Sequence, residues 1–234
     1  SASLGQHTII NNGTINLENA LGYLQDWSTG IYDASGGGIM NVNTNAVGIE
    51  LTLSGGGEPI FNQSTLKVGT INVNGDNNLS GNYSKAINMT LNAYPTMTVN
   101  ISDGTINLKS NSMGIITDSS SQQKINNSAA INITGGNSYG IISYGSASSL
   151  AQINNSGDIS SGKTSIGIYN KGGQINQTSG TINVGEAGVG IYTDSGNLNL
   201  ASGILNLNGA NTVGIYALNN SSIDNNMLMN VSDN

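Results

Sequence analysis

Two short phrases recur along this chain at a shared period, and a shared period leaves few folds open. The first is built on Gly-Ile: Gly30-Ile31-Tyr32, Gly48-Ile49-Glu50, Gly114-Ile115-Ile116, Gly140-Ile141-Ile142, Gly167-Ile168-Tyr169, Gly190-Ile191-Tyr192 and Gly214-Ile215-Tyr216. The last five stand roughly 23–27 residues apart, the length of one solenoid turn. The second phrase reads Gly13-Thr14-Ile15-Asn16-Leu17, Gly69-Thr70-Ile71-Asn72-Val73, Gly104-Thr105-Ile106-Asn107-Leu108 and Gly180-Thr181-Ile182-Asn183-Val184. A third precedes it: Ile10-Asn11-Asn12, Ile125-Asn126-Asn127, Ile153-Asn154-Asn155, Ile175-Asn176-Gln177, Leu198-Asn199-Leu200 and Ile223-Asp224-Asn225. Three β-rich phrases per repeat, parted by Gly, Ser and Asn, predict an all-β fold: a right-handed parallel β-helix with three strands per coil. About nine coils are expected, some 40 Å long at ~4.8 Å per coil. The repeats run through nearly all 234 residues, so one elongated domain over 1–234 is expected.

Strand alternation sorts the columns. Around Ile15-Asn16-Leu17 the apolar residues point inward, so Asn16, Asn41, Asn72, Asn107, Asn132, Ser160, Asn183 and Asn206 form an outer column, able to hydrogen-bond up the stack. Leu198 and Leu200 must both face in, which places Asn12, Asn127, Asn155, Gln177 and Asn225 inside as a second amide ladder. In the Gly-Ile phrase the Ile column is inward, and so is the column of Val47, Met113, Ile166, Val189 and Val213 two residues earlier. The next column is then outward, with Tyr169, Tyr192 and Tyr216 as an exposed aromatic ladder that shares its column with Glu50, Ile116 and Ile142. Tyrosines suit any half-exposed pleated surface. They also make a binding stripe, because each couples a rigid apolar ring to a hydrogen-bonding tip.

Solenoids carry function on segments that leave the coils. Three candidate insertions are residues 18–28, 54–65 and 74–93. In the first, Leu17, Leu21 and Leu24 at helical spacing predict a short helix, with Trp27 following. Tyr23, Trp27, Phe61, Tyr83 and Tyr94 lie in or beside these segments and join Tyr169, Tyr192 and Tyr216 as candidate binding residues.

Several chemistries are disfavoured. Six Lys, no Arg and a net charge of −7 do not suit nucleic acid. There is no cysteine, so thiol, disulfide and Cys-ligated zinc chemistry are excluded. No apolar run is long enough to span a membrane, so no membrane contact by this segment is expected. No signal-peptide pattern follows Ser1; if the protein is exported, a mature fragment is expected. Gly157-Asp158-Ile159-Ser160-Ser161-Gly162-Lys163-Thr164 matches the P-loop pattern, but its register is that of an ordinary strand phrase, with no helix to follow. Asp118 and Asp194 share a column about three coils apart, roughly 14 Å, beyond the separation of glycosidase carboxylates. His7, the sole histidine, is terminal. No catalytic, cofactor or metal residues are therefore assigned, and a monomer is expected.

Ile153–Gly157 (Ile-Asn-Asn-Ser-Gly), with Val-Gly-Ile-Tyr at Val189 and Val213, resembles the passengers of large type V autotransporter adhesins, in particular the giant outer-membrane adhesins of fusobacteria. The resemblance covers residues 9–231. It implies a β-helical stalk at the cell surface, held by a C-terminal barrel, that attaches to host-cell or bacterial surface proteins or glycans without catalysing a reaction. The alternatives are a polysaccharide-active β-helix lyase or hydrolase, and a purely structural spacer.

Overall fold

The computed structural model of the chain describes residues 7–26, 30–53, 63–75, 83–91, 97–119, 123–145 and 152–232. None of these residues is helical, and the strands pair in parallel, each with its counterpart about one repeat away. The fold is a parallel β-helix. One coil runs through three strands, for example Gln174–Gln177, Thr181–Val184 and Val189–Asp194. The third strands stack into an eight-stranded sheet. The first and second strands share a 16-stranded sheet, because Gln63–Val73 and Thr98–Leu108 run straight through both. The described strands make up eight coils, and Ser222–Asn225 with Leu228–Val231 begin another. That is slightly fewer turns than the nine expected.

The columns follow from side-chain alternation. Ala130–Ile133 and Thr181–Val184 alternate half-buried and buried residues. The outer asparagines align in register, and side-chain amides donate to those in the preceding coil except where Ser160 interrupts the column and Asn183 donates to its hydroxyl. Asn41 donates to Asn16 at 2.7 Å, Asn72 to Asn41 at 2.9 Å, Asn107 to Asn72 at 2.9 Å and Asn132 to Asn107 at 3.2 Å. A second outer ladder climbs the first strands, Asn126 to Asn100, Asn154 to Asn126 and Asn176 to Asn154 at 2.7–2.8 Å. An amide carries both donor and acceptor, so one residue type satisfies itself at every level of a parallel stack.

The inner ladder forms from Asn127, Asn155 and Gln177, all essentially inaccessible. Asn127 donates to Asn155 at 2.7 Å, and Asn155 donates to Gln177 at 2.9 Å and to the Gly157 carbonyl at 2.9 Å. These amides satisfy the buried turn between first and second strands. Asn12 and Asn225 depart from the expectation, since both are exposed. In the first coil the strand ends at Ile10, and Asn11 turns in instead, its amide 3.2 Å from the Tyr32 hydroxyl. A shift of one residue moves a side chain to the opposite face. Asn225 keeps the register of Leu200, but it lies in the last coil, where no described strand covers it.

The Gly-Ile phrase holds a bulge that simple alternation does not anticipate. In Val189–Asp194 the side chains run half-buried, buried, buried, half-buried, so Gly190 and Ile191 face inward in succession. A Cβ at Gly114 would stand 2.4 Å from the Gly140 carbonyl oxygen, and one at Gly140 would stand 2.5 Å from that of Gly167. The glycines recur because the next coil's backbone passes through the space of a side chain. The slip corrects another expectation: Val47, Met113, Ile166 and Val189 are half-buried on the outer face, and Val213 is exposed there. Inside, Ile49, Ile87, Ile115, Ile141, Ile168 and Ile191 form a fully buried column. Gly30-Ile31-Tyr32 belongs elsewhere. It is a first strand, and Tyr32 lies in the core against Tyr23 with ring centroids 5.7 Å apart.

The expected helix at residues 18–28 is absent from the part described. Leu21–Asp26 is the third strand of the first coil, paired with Val47–Leu53. Leu21 and Leu24 are both exposed, on either side of inward Tyr23. A bulged strand therefore reproduces the three-residue spacing of a helix face. The expected insertion at 74–93 contains another third strand, Ser84–Leu91, and Gln63 to Thr65 of the 54–65 segment already belong to a first strand. Residues 54–62, 76–82 and 92–96 lie outside the described residues.

The corners before seven of the eight third strands each place one residue at positive φ: Asn19, Asn45, Asn111, Asn137, Thr164, Ala187 and Asn211, all between 49° and 57°. Asparagine tolerates this region and β-branched threonine does not. Thr164→Asn and Ala187→Asn are each expected to add about 1 kcal/mol, raising Tm by roughly 2–4 °C. Thermal melts of the single variants check this, and a lowered Tm at Thr164 would contradict it.

Candidate binding face

Because the chain slips at each glycine, three outward columns cover the third-strand sheet. The first runs Met113, Tyr139, Ile166, Val189 and Val213. The second runs Glu50, Asn88, Ile116, Ile142, Tyr169, Tyr192 and Tyr216. The third runs Asp118, Tyr144, Lys171, Asp194 and Leu218. Ile116 and Ile142 are buried although they lie outside the core cluster. Neighbours on the outer face shield them, so this side of the sheet carries a small apolar layer of its own.

Six tyrosines make up much of that layer. Tyr169 stacks on Tyr192 with centroids 4.9 Å apart and planes 5° from parallel, and Tyr192 stacks on Tyr216 at 5.5 Å. Tyr139 meets Tyr169 edge-on at 6.1 Å, Tyr144 lies 6.0 Å from Tyr169, and Tyr83 meets Tyr139 edge-on at 6.0 Å. Stacked rings cover one another's faces, so the ladder offers ring edges and hydroxyls to a partner. Burial, the first cause, and neighbouring phenols raise the pKa of Tyr139, Tyr144 and Tyr192, with Asp118 adding to the effect at Tyr144 and Asp194 at Tyr192. These three phenols are therefore neutral hydrogen-bonding groups at neutral pH.

At the N-terminal end of the tyrosine face lies a groove of about 420 Å³. Tyr83 and Tyr144 line it with Met113, Ile116, Lys85 and Asn45. It mixes aromatic, aliphatic and polar surface with one cation.

The candidate residues divide clearly. Tyr169, Tyr192 and Tyr216 form the expected ladder, but only Tyr216 is exposed and the other two are half-buried, and Tyr83 joins their face through Tyr139. Tyr23 does not belong with them: it packs in the core at 6% exposure, and burial raises its pKa. Its place after Gly22 is the inward place of Ile49. Trp27, Phe61 and Tyr94 lie outside the described residues. Sequence reasoning missed Tyr139, Tyr144, Lys85 and Met113. The signal for Tyr144 was present, since it stands in the column of Lys171 and Asp194.

Two catalytic patterns weighed in the sequence are not assembled among the described residues. Asp118 and Asp194 share a column but are parted by Tyr144 and Lys171. In the P-loop match, Ile159–Ser161 is a strand, Ile166–Lys171 is the next, and Lys163 pairs with Glu186 at 3.1 Å. The helix N-terminus that cradles phosphate is missing from that segment. Among the described residues no group of three or more His, Asp or Glu could hold a metal ion. No described helix is long and apolar enough to cross a membrane. No family model, no curated protein and no solved structure matches the chain.

Proposed function

We propose that this chain is a segment of an exported surface adhesin, and that it attaches through the tyrosine-bearing face of its third-strand sheet. The observation that carries the reading is that face: six tyrosines and a layer of aliphatic side chains on the outside of a regular β-helix. A spacer gains nothing from an apolar outer layer, whereas recognition surfaces draw on rigid amphipathic rings. The β-helix supplies a stiff, extended platform. Resemblance to type V autotransporter adhesins of the fusobacterial kind supplies the setting, a monomeric passenger at the cell surface whose partner is a host-cell or bacterial protein or glycan. The lyase or hydrolase alternative needs convergent acid and base groups, and the spaced Asp118 and Asp194 do not favour it.

Labelled protein binding to bacterial and epithelial cells, read by flow cytometry, tests the proposal. Wild type is expected to bind. Tyr192→Ser combined with Tyr216→Ser is expected to reduce binding at least about tenfold, as loss of two anchoring aromatics does, while keeping a cooperative melt. Lys124→Gln, at an exposed first-strand position, is expected to bind like wild type. Failure of the wild type to bind any cell, or undiminished binding by the double variant, would sink it; the second outcome favours the spacer.

A further inference from the structure

Lys85 stands in an unusual place. Its column neighbours are Val47 in the coil before and Met113 in the coil after, so a cation interrupts an apolar row. The salt bridges among the described residues are Lys67 with Asp33 and Lys163 with Glu186. The carboxylate in the adjacent column, Glu50, takes hydrogen bonds from the Asn88 amide at 2.9 and 3.1 Å. Lys85 instead lines the groove with Tyr83, Tyr144, Ile116, Met113 and Asn45. The groove volume, about 420 Å³, is that of a small-ligand site.

We propose that this groove takes a carboxylated pyranose, with the acid against Lys85 and the C–H face of the ring on Val47, Met113 and the flanking tyrosines. This proposal names the ligand class of the adhesin reading and rests on it for its biological setting. A pyranose acid has one apolar face, an edge of hydroxyls and one negative charge. The groove has an apolar wall, a polar rim with Asn45 and tyrosine hydroxyls, and one cation. Because the chain carries a net charge of −7, attraction of an anion must come from such a local site. An acidic peptide fits less well. An extended peptide binds a sheet through a free strand edge, and Ser84–Leu91 is paired on both sides, to Val47–Leu53 and Ser112–Ser119.

Titration calorimetry with four probes tests the site: methyl β-glucuronide, 3′-sialyllactose, methyl β-glucoside and a hexaglutamate peptide. At least one acidic sugar is expected to bind, and which one does separates a uronate from a sialic-acid source. The neutral glucoside is expected to bind about tenfold more weakly, as loss of one charge-assisted contact implies. Lys85→Gln should erase the preference for acid, Tyr144→Ser should weaken both sugar types, and Lys163→Gln should change neither. Circular dichroism melts confirm that each variant is folded. No sugar binding, equal binding of acid and neutral sugar, an unaltered preference in Lys85→Gln, or tighter binding of hexaglutamate would each overturn the proposal. Cell attachment separates the two readings. Attachment without acidic-sugar binding leaves the adhesin standing and removes this site; acidic-sugar binding without attachment does the reverse.

Discussion

Ile191→Asp is expected to unfold several coils, whereas Tyr192→Asp, one residue on, is expected to leave the fold standing. Ile191 is fully buried between Ile168 and Ile215 in the inner column. The substitution removes a packed side chain and places a carboxylate where nothing charged faces it. The combined cost is about 5 kcal/mol or more. Each coil is held by its neighbours, so damage at one level spreads to the coils on either side. Tyr192 lies on the outer face, and its replacement forfeits two stacked contacts, about 1–3 kcal/mol. Circular dichroism melts of both variants decide between the faces. Equal destabilisation, or the larger loss at Tyr192, would mean that inward and outward have been exchanged.

Gly140→Val is expected to be nearly as damaging although it adds only apolar atoms. The new Cβ would lie 2.5 Å from the Gly167 carbonyl oxygen and 3.5 Å from Ile131 Cγ2. Backbone in the next coil cannot yield as a flexible side chain does, so the coils must separate locally. Ala86 occupies the same column in the strand Ser84–Leu91, which shows that one methyl can be housed where the surroundings are built for it. Gly140→Ala should therefore cost about 1–3 kcal/mol and Gly140→Val several. Limited proteolysis should cut Gly140→Val first in the coils around residue 140. An unchanged melting temperature would remove the close-approach explanation for the glycine column.

The parts of this architecture legible in the sequence are those governed by period. Ile-Asn-Leu and Ile-Asn-Val alternate without interruption, so the inner isoleucines and outer asparagines follow directly from their spacing. The same counting fails at the glycines. A residue that lets two neighbours face inward shifts all that precedes it, so Val189 and its equivalents turn outward and Tyr139 reaches the tyrosine face. Leu21 and Leu24 mimic a helix for the same reason. In Ser84–Leu91, Lys85 and Ala86 replace the usual aliphatic residue and glycine, which hides the phrase and the groove with it. Tyr23 and Tyr32 are a further lesson, because a core tyrosine and a surface tyrosine look alike until register assigns the strand.

The amide ladders also set the increment by which such a chain can change in length. Hydrogen-bonded partners on the first strands are 26, 28 and 22 residues apart in successive coils, yet the distance between them stays within 2.7–2.8 Å. Corners absorb the difference, while strands and amides keep their alignment. Gaining or losing a few residues at a corner alters only that corner, and gaining or losing an entire turn brings the same amides, isoleucines and glycines back into contact. A deletion that ends part-way through a strand joins mismatched columns. Genetic drift in size should thus proceed by trimming corners or by adding and subtracting whole turns, and the tyrosine face can be extended by duplication without designing a new fold.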